Sequence, residues 1–237
     1  MTTHDASVVP GTGTGALPDF AAVLAGELPG GEETAGFDLS VFPVTVGQYW
    51  RYLVDRELVD APRPLLHFFA RHPGSGLRTD PAGTVVLDEE LSELPVTRVT
   101  WRGAVAYCEW LGTRTGASCR LPTAAEWQYA AAGPQRFRWS LGDTFDRATY
   151  APHADAPRPV GTTGPNAFGL RDMTGNIFEW CADGLTAPSG ERLGSRVIKG
   201  GAYTVRNPES FDNATVFTAD ELSTVPYIGF RVLRVGG

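Results

Sequence analysis

The chain has 237 residues, and its 28 glycines and 18 prolines are too many for a helical bundle. Hydrophobic residues at 42 % and aromatics at 11 % suffice for a packed core and exclude global disorder. The net charge of −7 argues against a nucleic-acid partner held through phosphates, and no run approaches the roughly 18 apolar residues of a membrane-spanning helix.

Residues 1–35 read as a tail with one short helix at Phe20-Ala-Ala-Val-Leu-Ala, and residues 36–237 as one domain. The N-terminus lacks a basic segment followed by an apolar one, so no signal peptide is expected. Cys108, Cys119 and Cys181 are too widely spaced for a metal pair or a disulfide framework. Reduced thiols and a cytoplasmic location follow as expectations, and the oligomeric state is left open. From Phe37 the residues alternate apolar and polar, which predicts a half-buried strand. Thr45-Val-Gly-Gln48 has the form of a capping box and predicts a helix over 46–55. Residues 60–93 hold four prolines and no period, and read as a long loop or lid containing His67 and His72.

Thr100 is the expected cap of a helix whose apolar face carries Ala104, Val105, Cys108 and Leu111. Thr123 and Glu126 form a second capping box, and Gly133 is a natural stop. After Gly133 the pattern predicts loops and short strands. The class is α+β, irregular and loop-rich.

Four segments in order carry a resemblance: Pro95-Val-Thr-Arg-Val-Thr-Trp with the helix after it, Arg120-Leu-Pro-Thr-Ala-Ala-Glu-Trp, Asn166-Ala-Phe-Gly-Leu-Arg-Asp-Met-Thr-Gly-Asn-Ile-Phe-Glu-Trp, and Lys199-Gly-Gly-Ala-Tyr with Gly229-Phe-Arg. Together they resemble the formylglycine-generating-enzyme-like family over about residues 37–235. That family also includes the C-terminal domain of ergothioneine-type sulfoxide synthases and the pyoverdine-maturation proteins. The resemblance implies a single C-type-lectin-like domain. It does not fix the chemistry, because one fold hosts many functions.

The family's oxidases hold copper(I) with two cysteines after the Gly-Gly turn, as a soft metal requires. In this register those positions are Val205 and Ser210, and the oxygen-pocket positions are Ala202 and Phe178. Formylglycine generation is therefore not expected. A redox metal such as iron(II) would need His67, His72, His153 and nearby carboxylates, although solvated loop histidines explain the same residues. The resemblance also implies a structural calcium held by Asp172, the carbonyls of Gly175 and Ile177, and Glu179. The alternative is that Glu179 caps amides or pairs with an arginine.

The segment after the Gly-Gly turn is dense in polar groups. In a groove, Glu209 and Asp212 would serve as catalytic acids or bases, and Arg206, Asn207 and Ser210 would bind substrate with Phe178 and Trp180. An exposed polar loop accounts for the same composition. The expected partner is a small polar or amino-acid-like substrate, with neither nucleic acid nor membrane. Two functions stay open: a stand-alone oxidative tailoring enzyme using a non-haem metal, or a non-catalytic, calcium-stabilised lectin-like binding module or partner subunit.

Overall fold

The computed structural model describes residues 16–60, 72, 74–152, 154–186, 189 and 192–236. In chain order these form β1 (Phe20–Val23), β2 (Gly26–Glu27), β3 (Glu33–Thr34), β4 (Phe37–Ser40), α1 (Val46–Asp55), β5 (Leu77–Thr79), β6 (Val85–Leu87), α2 (Trp101–Thr115) and β7 (Ser118–Arg120). There follow α3 (Ala124–Ala132), α4 (Arg147–Tyr150), β8 (Phe178–Thr186), β9 (Arg192–Lys199), β10 (Phe217–Asp220), β11 (Ile228–Gly229) and β12 (Leu233–Val235).

Three threonines start the three long helices. Thr45 Oγ1 accepts from the Gln48 amide at 3.2 Å, and Gln48 Oε1 accepts from the Thr45 amide at 3.1 Å, closing the expected box. Thr123 and Glu126 close the second box on α3, and Thr100 caps α2. Because α1 and α2 each present tyrosines inward, their contact is aromatic. Tyr49 stacks on Tyr107 with centroids 5.8 Å apart, and Tyr107 meets the edge of Phe230 at 5.4 Å. Trp180 lies in the same core and donates its Nε1 hydrogen to the Val99 carbonyl.

Two four-stranded sheets frame this core, ordered β1-β4-β12-β7 and β10-β9-β8-β11. The first joins distant parts of the chain: Leu233 lies opposite both Leu39 and Arg120. The second is built on the long antiparallel pair β8–β9, with β11 added in parallel to β8.

Three expectations change. The short helix expected at Phe20-Ala-Ala-Val-Leu-Ala is instead β1, with Phe20 opposite Ser40 and Val23 opposite Phe37. The alanines favour a helix, but pairing with β4 answers the backbone amides and buries Val23, which overrides propensity. Within the 60–93 stretch a β5–β6 hairpin forms, with Leu77 opposite Leu87. After Gly133, where no helix was expected, α4 adds one short turn capped by Asp146.

Two glycines hold the site region in shape. Gly175 has φ 88°, and a Cβ there would lie 2.1 Å from the Tyr150 carbonyl oxygen. Gly201 has φ 78°, and a Cβ there would strike Phe211 at 2.4 Å. Only glycine tolerates both the conformation and the approach.

Candidate functional site

The segment after the Gly200-Gly201 turn is organised by its own side chains. Asn207 Oδ1 accepts from the Glu209 amide at 3.2 Å and starts a 3-10 turn over Pro208–Phe211. Phe211 is fully buried against Phe145, with centroids 5.3 Å apart, and anchors the turn. The turn puts Glu209 and Asp212 on one side, where both meet Arg138. Asp212 Oδ2 accepts from Arg138 Nε at 2.5 Å, and Glu209 Oε2 accepts from Nη2. The Arg138 guanidinium also lies over the Trp139 ring. The two carboxylates predicted to be catalytic thus share one guanidinium and are not presented as free bases.

Arg206 folds back and donates to the carbonyls of Tyr203 and Val205. Ser210 is half-buried and donates its amide hydrogen to the Asn207 carbonyl. Phe178 and Trp180, expected at the substrate, are core residues. Phe178 is buried and packs its ring against Phe217 and Tyr227, while Trp180 has no exposed surface.

The single groove expected from residues 204–213 is divided between two concavities, and a third lies beside the preceding Tyr203. Tyr203 lines a cleft of about 160 Å³ with His72, Arg98 and Asp155. Arg206 lines an open depression with Arg147 and Pro152. Asp212 and Asn213 line a cavity of about 370 Å³ beside the end of α3, with Tyr129, Arg136, Phe137 and Asp143. Of the expected iron ligands, His67 and His153 lie outside the described residues. His72 and Asp155 share a cleft, but Arg206, Glu209 and Asp212 are not in its lining. Among the described residues no three histidine, cysteine or acidic side chains gather to hold a metal ion.

Three of the four expected calcium donors, Asp172, Gly175 and Glu179, are otherwise employed. Asp172 is buried at φ 55°; its Oδ1 accepts from the Thr163 amide and hydroxyl, both at 3.0 Å, and its Oδ2 accepts from the Gly161 amide. The Gly175 carbonyl accepts from the Ile177 amide at 2.9 Å. Glu179 takes the second reading. Arg231 Nε donates to its Oε2 at 2.6 Å and Nη2 to its Oε1 at 2.8 Å, and Trp127 Nε1 donates to Oε2 at 2.7 Å. Both partners are essentially inaccessible to solvent. A divalent cation at Glu179 would displace or face a buried guanidinium, so this donor set does not fit calcium.

Copper(I) does not fit either. Val205 packs its side chain against apolar residues, and Ser210 offers a hydroxyl. The three cysteines are free thiols, and burial raises the pKa of each, most strongly for Cys108 and Cys181. They are structural hydrophobes rather than thiolate donors.

The cavity beside α3 was missed at the level of sequence. Tyr129 and Phe137 are signalled only as a helical residue and a residue after a glycine stop. Arg136 carries no motif, although its φ of 57° is a conformation that non-glycine residues adopt rarely. One described buried group also went unread: Lys199 is 1 % exposed, its Nζ has no hydrogen-bond partner, and it sits 5.7 Å from the centroid of Trp127. Burial pushes its pKa down from 10.5 to about 8.

Comparison with known proteins places this geometry. The model of the sulfatase-modifying factor enzyme 1-like domain matches residues 13–235. The serine/threonine-protein kinase pkn1 of Chlamydia pneumoniae is 31 % identical over 181 residues, 70 % of this chain and 28 % of the kinase. The formylglycine-generating enzyme of Thermomonospora curvata is 33 % identical over 174 residues, 58 % of this chain and 54 % of that enzyme. The chain therefore spans little more than a quarter to about half the length of these curated relatives. Among solved structures, CarF superposes with a TM-score of 0.69 at 22 % identity, covering 93 % of this chain and 99 % of CarF. PvdO from Pseudomonas aeruginosa gives 0.68 at 24 %, covering 92 % and 95 %. At such identities the shared feature is the fold.

Proposed function

Because this chain belongs to the sulfatase-modifying factor enzyme 1-like domain family, we propose that it uses the family's fold to bind a small polar ligand in the cavity beside α3, without forming formylglycine. The observation that carries this reading is the residue pair Val205 and Ser210. Neither side chain supplies the sulfur that a cuprous ion needs, whereas the α3 cavity offers both aromatic walls and charged groups. A cytoplasmic setting belongs to the same reading and is supported by three cysteines with no disulfide among them.

The test has two parts. Cu(I) competition against a strong chelator should leave the protein with no stoichiometric copper; one tightly held equivalent would overturn the copper-free reading. Amide resonances of Ala132 and Ala214, at the cavity wall, should shift on titration with a panel of small amino acids, amines, carboxylates and sugars. If no solute moves them, the cavity is not a ligand site.

A second reading keeps oxidative tailoring of an amino-acid-derived substrate at a non-haem iron(II). The observation favouring it is that His72 and Asp155 line one cleft. They are two of the three donors in a two-histidine, one-carboxylate centre. Stoichiometric iron that falls in a His72→Ala variant, with oxygen uptake on substrate addition, would establish it; absence of both would remove it.

A further inference from the structure

We propose that the cleft beside Arg98 binds a small aliphatic carboxylate, which Arg98 grips through its guanidinium while the hydroxyls of Thr97 and Tyr203 donate to its oxygens. This site is separate from the cavity beside α3 and calls for no metal ion.

The first observation is backbone strain at a charged residue. Arg98 has φ 59°, a left-handed conformation that non-glycine residues adopt rarely and at a cost. Its surroundings enforce it. The Arg98 amide donates to the Val225 carbonyl at 3.1 Å, and its neighbours Val96, Thr97, Val99 and Thr100 are all buried. The outcome is a half-buried arginine in the wall of the cleft.

The second observation is that this guanidinium is unanswered. Arg120, Arg138, Arg196, Arg231 and Arg234 each bond a carboxylate of the protein. Arg98 makes no ion pair and no side-chain hydrogen bond among the described residues, although the chain has 27 acidic residues against 20 basic ones. Asp155 lines the same cleft but is exposed and forms no ion pair with Arg98.

Two hydroxyls complete the donor set. Tyr203 donates to the Pro226 carbonyl at 3.4 Å, one residue after the carbonyl that holds Arg98, so a single dipeptide brings both side chains to the cleft. A bond of that length is weak and exchanges readily for a ligand oxygen. Burial raises the Tyr203 pKa, so the hydroxyl keeps its proton and remains a donor. Thr97 is 8 % exposed, and its hydroxyl makes no hydrogen bond among the described residues. A carboxylate only accepts, and it matches the planar fork of an arginine. Leu94, Pro95 and Pro226 supply apolar wall. The cleft holds about 160 Å³, well under the roughly 300 Å³ of a drug-sized site, so the acid has only a few carbons.

The experiment is titration of the full chain with propionate, propanol, propylamine and inorganic phosphate, followed through the amide resonances of Thr97, Arg98 and Tyr203. Propionate should bind at least about tenfold more tightly than propanol or propylamine. Tyr203→Phe should weaken propionate about threefold, and Asp155→Asn should tighten it by removing a like charge. Arg98→Asn is the decisive variant, because asparagine accepts a positive φ more readily than arginine and lacks the charge. It should weaken propionate at least about tenfold, yet unfold at or above the parental temperature. A lower unfolding temperature would make Arg98 a structural residue and overturn the proposal. Unchanged propionate affinity in Arg98→Asn, or equal affinity for propionate and propanol, would overturn it as well. Phosphate binding more tightly than propionate would overturn the carboxylate assignment.

Discussion

Lys199 shows how a single residue can hold an electrostatic cost inside this fold. It stands opposite Glu179 in the β8–β9 ladder, yet Glu179 spends both oxygens on Arg231 and Trp127, leaving the ammonium nitrogen unpartnered. Burial lowers its pKa from 10.5 to about 8. Between those two values the unfolded chain carries the proton and the folded one does not, so unfolding takes up protons and stability rises with pH across that window. Below about pH 8 both states are protonated and the full penalty applies. Over the window the gain is about 3 kcal/mol. Lys199→Met should therefore be more stable than the parent near pH 7, with the gap closing towards pH 10. Urea midpoints for both proteins along that series check this; the effects of Cys108 and the buried tyrosines cancel in the difference, and a Cys181→Ala background removes that of Cys181, which interacts with Lys199. A constant gap would refute it. Nothing local marks Lys199, because its environment is assembled from Trp127 and Cys181, residues far away in the chain.

At the scale of elements, the legible parts were those whose signals are local. The boxes at Thr45–Gln48 and Thr123–Glu126, and the cap at Thr100, set α1, α3 and α2 where the residues predicted. The parts that were not legible depend on remote partners. β1 exists because β4 offers it a ladder, and no periodicity within four residues announces that. The site suffers the same way: Arg138, which captures Glu209 and Asp212, is 71 and 74 positions away from them. Gly175 gives an element-level prediction. It lets the turn before β8 press against the end of α4, so Gly175→Ala combines a disfavoured φ with a backbone clash. It should cost on the order of 3 kcal/mol in chemical unfolding. A loss no larger than a surface substitution would mean that the α4 end moves freely.

At the scale of the whole molecule, the buried Glu179–Arg231 pair ties the sheets together. Glu179 lies in β8, while Arg231 follows β11 and donates from Nη1 to the Ser40 carbonyl of β4 at 2.9 Å. The Glu179 and Arg231 charges balance each other, so no divalent ion is expected to be needed to order this pair. Adding a chelator such as EDTA should leave the melting temperature unchanged. A clear fall, reversed by calcium, would show that Asp172 and Glu179 share a cation after all.

The placement of β12 bears on how the protein comes into being. Val232 donates its amide to the Ser40 hydroxyl across 192 positions, and the following strand lies between β4 and β7. On the ribosome, β4 emerges long before its inner neighbour has been synthesised. Such closure of distant segments slows folding and keeps an unpaired edge open to other nascent chains. The heaviest demand for chaperone protection should thus fall in the interval between the emergence of β4 and that of β12, while the inner place in the sheet stands empty.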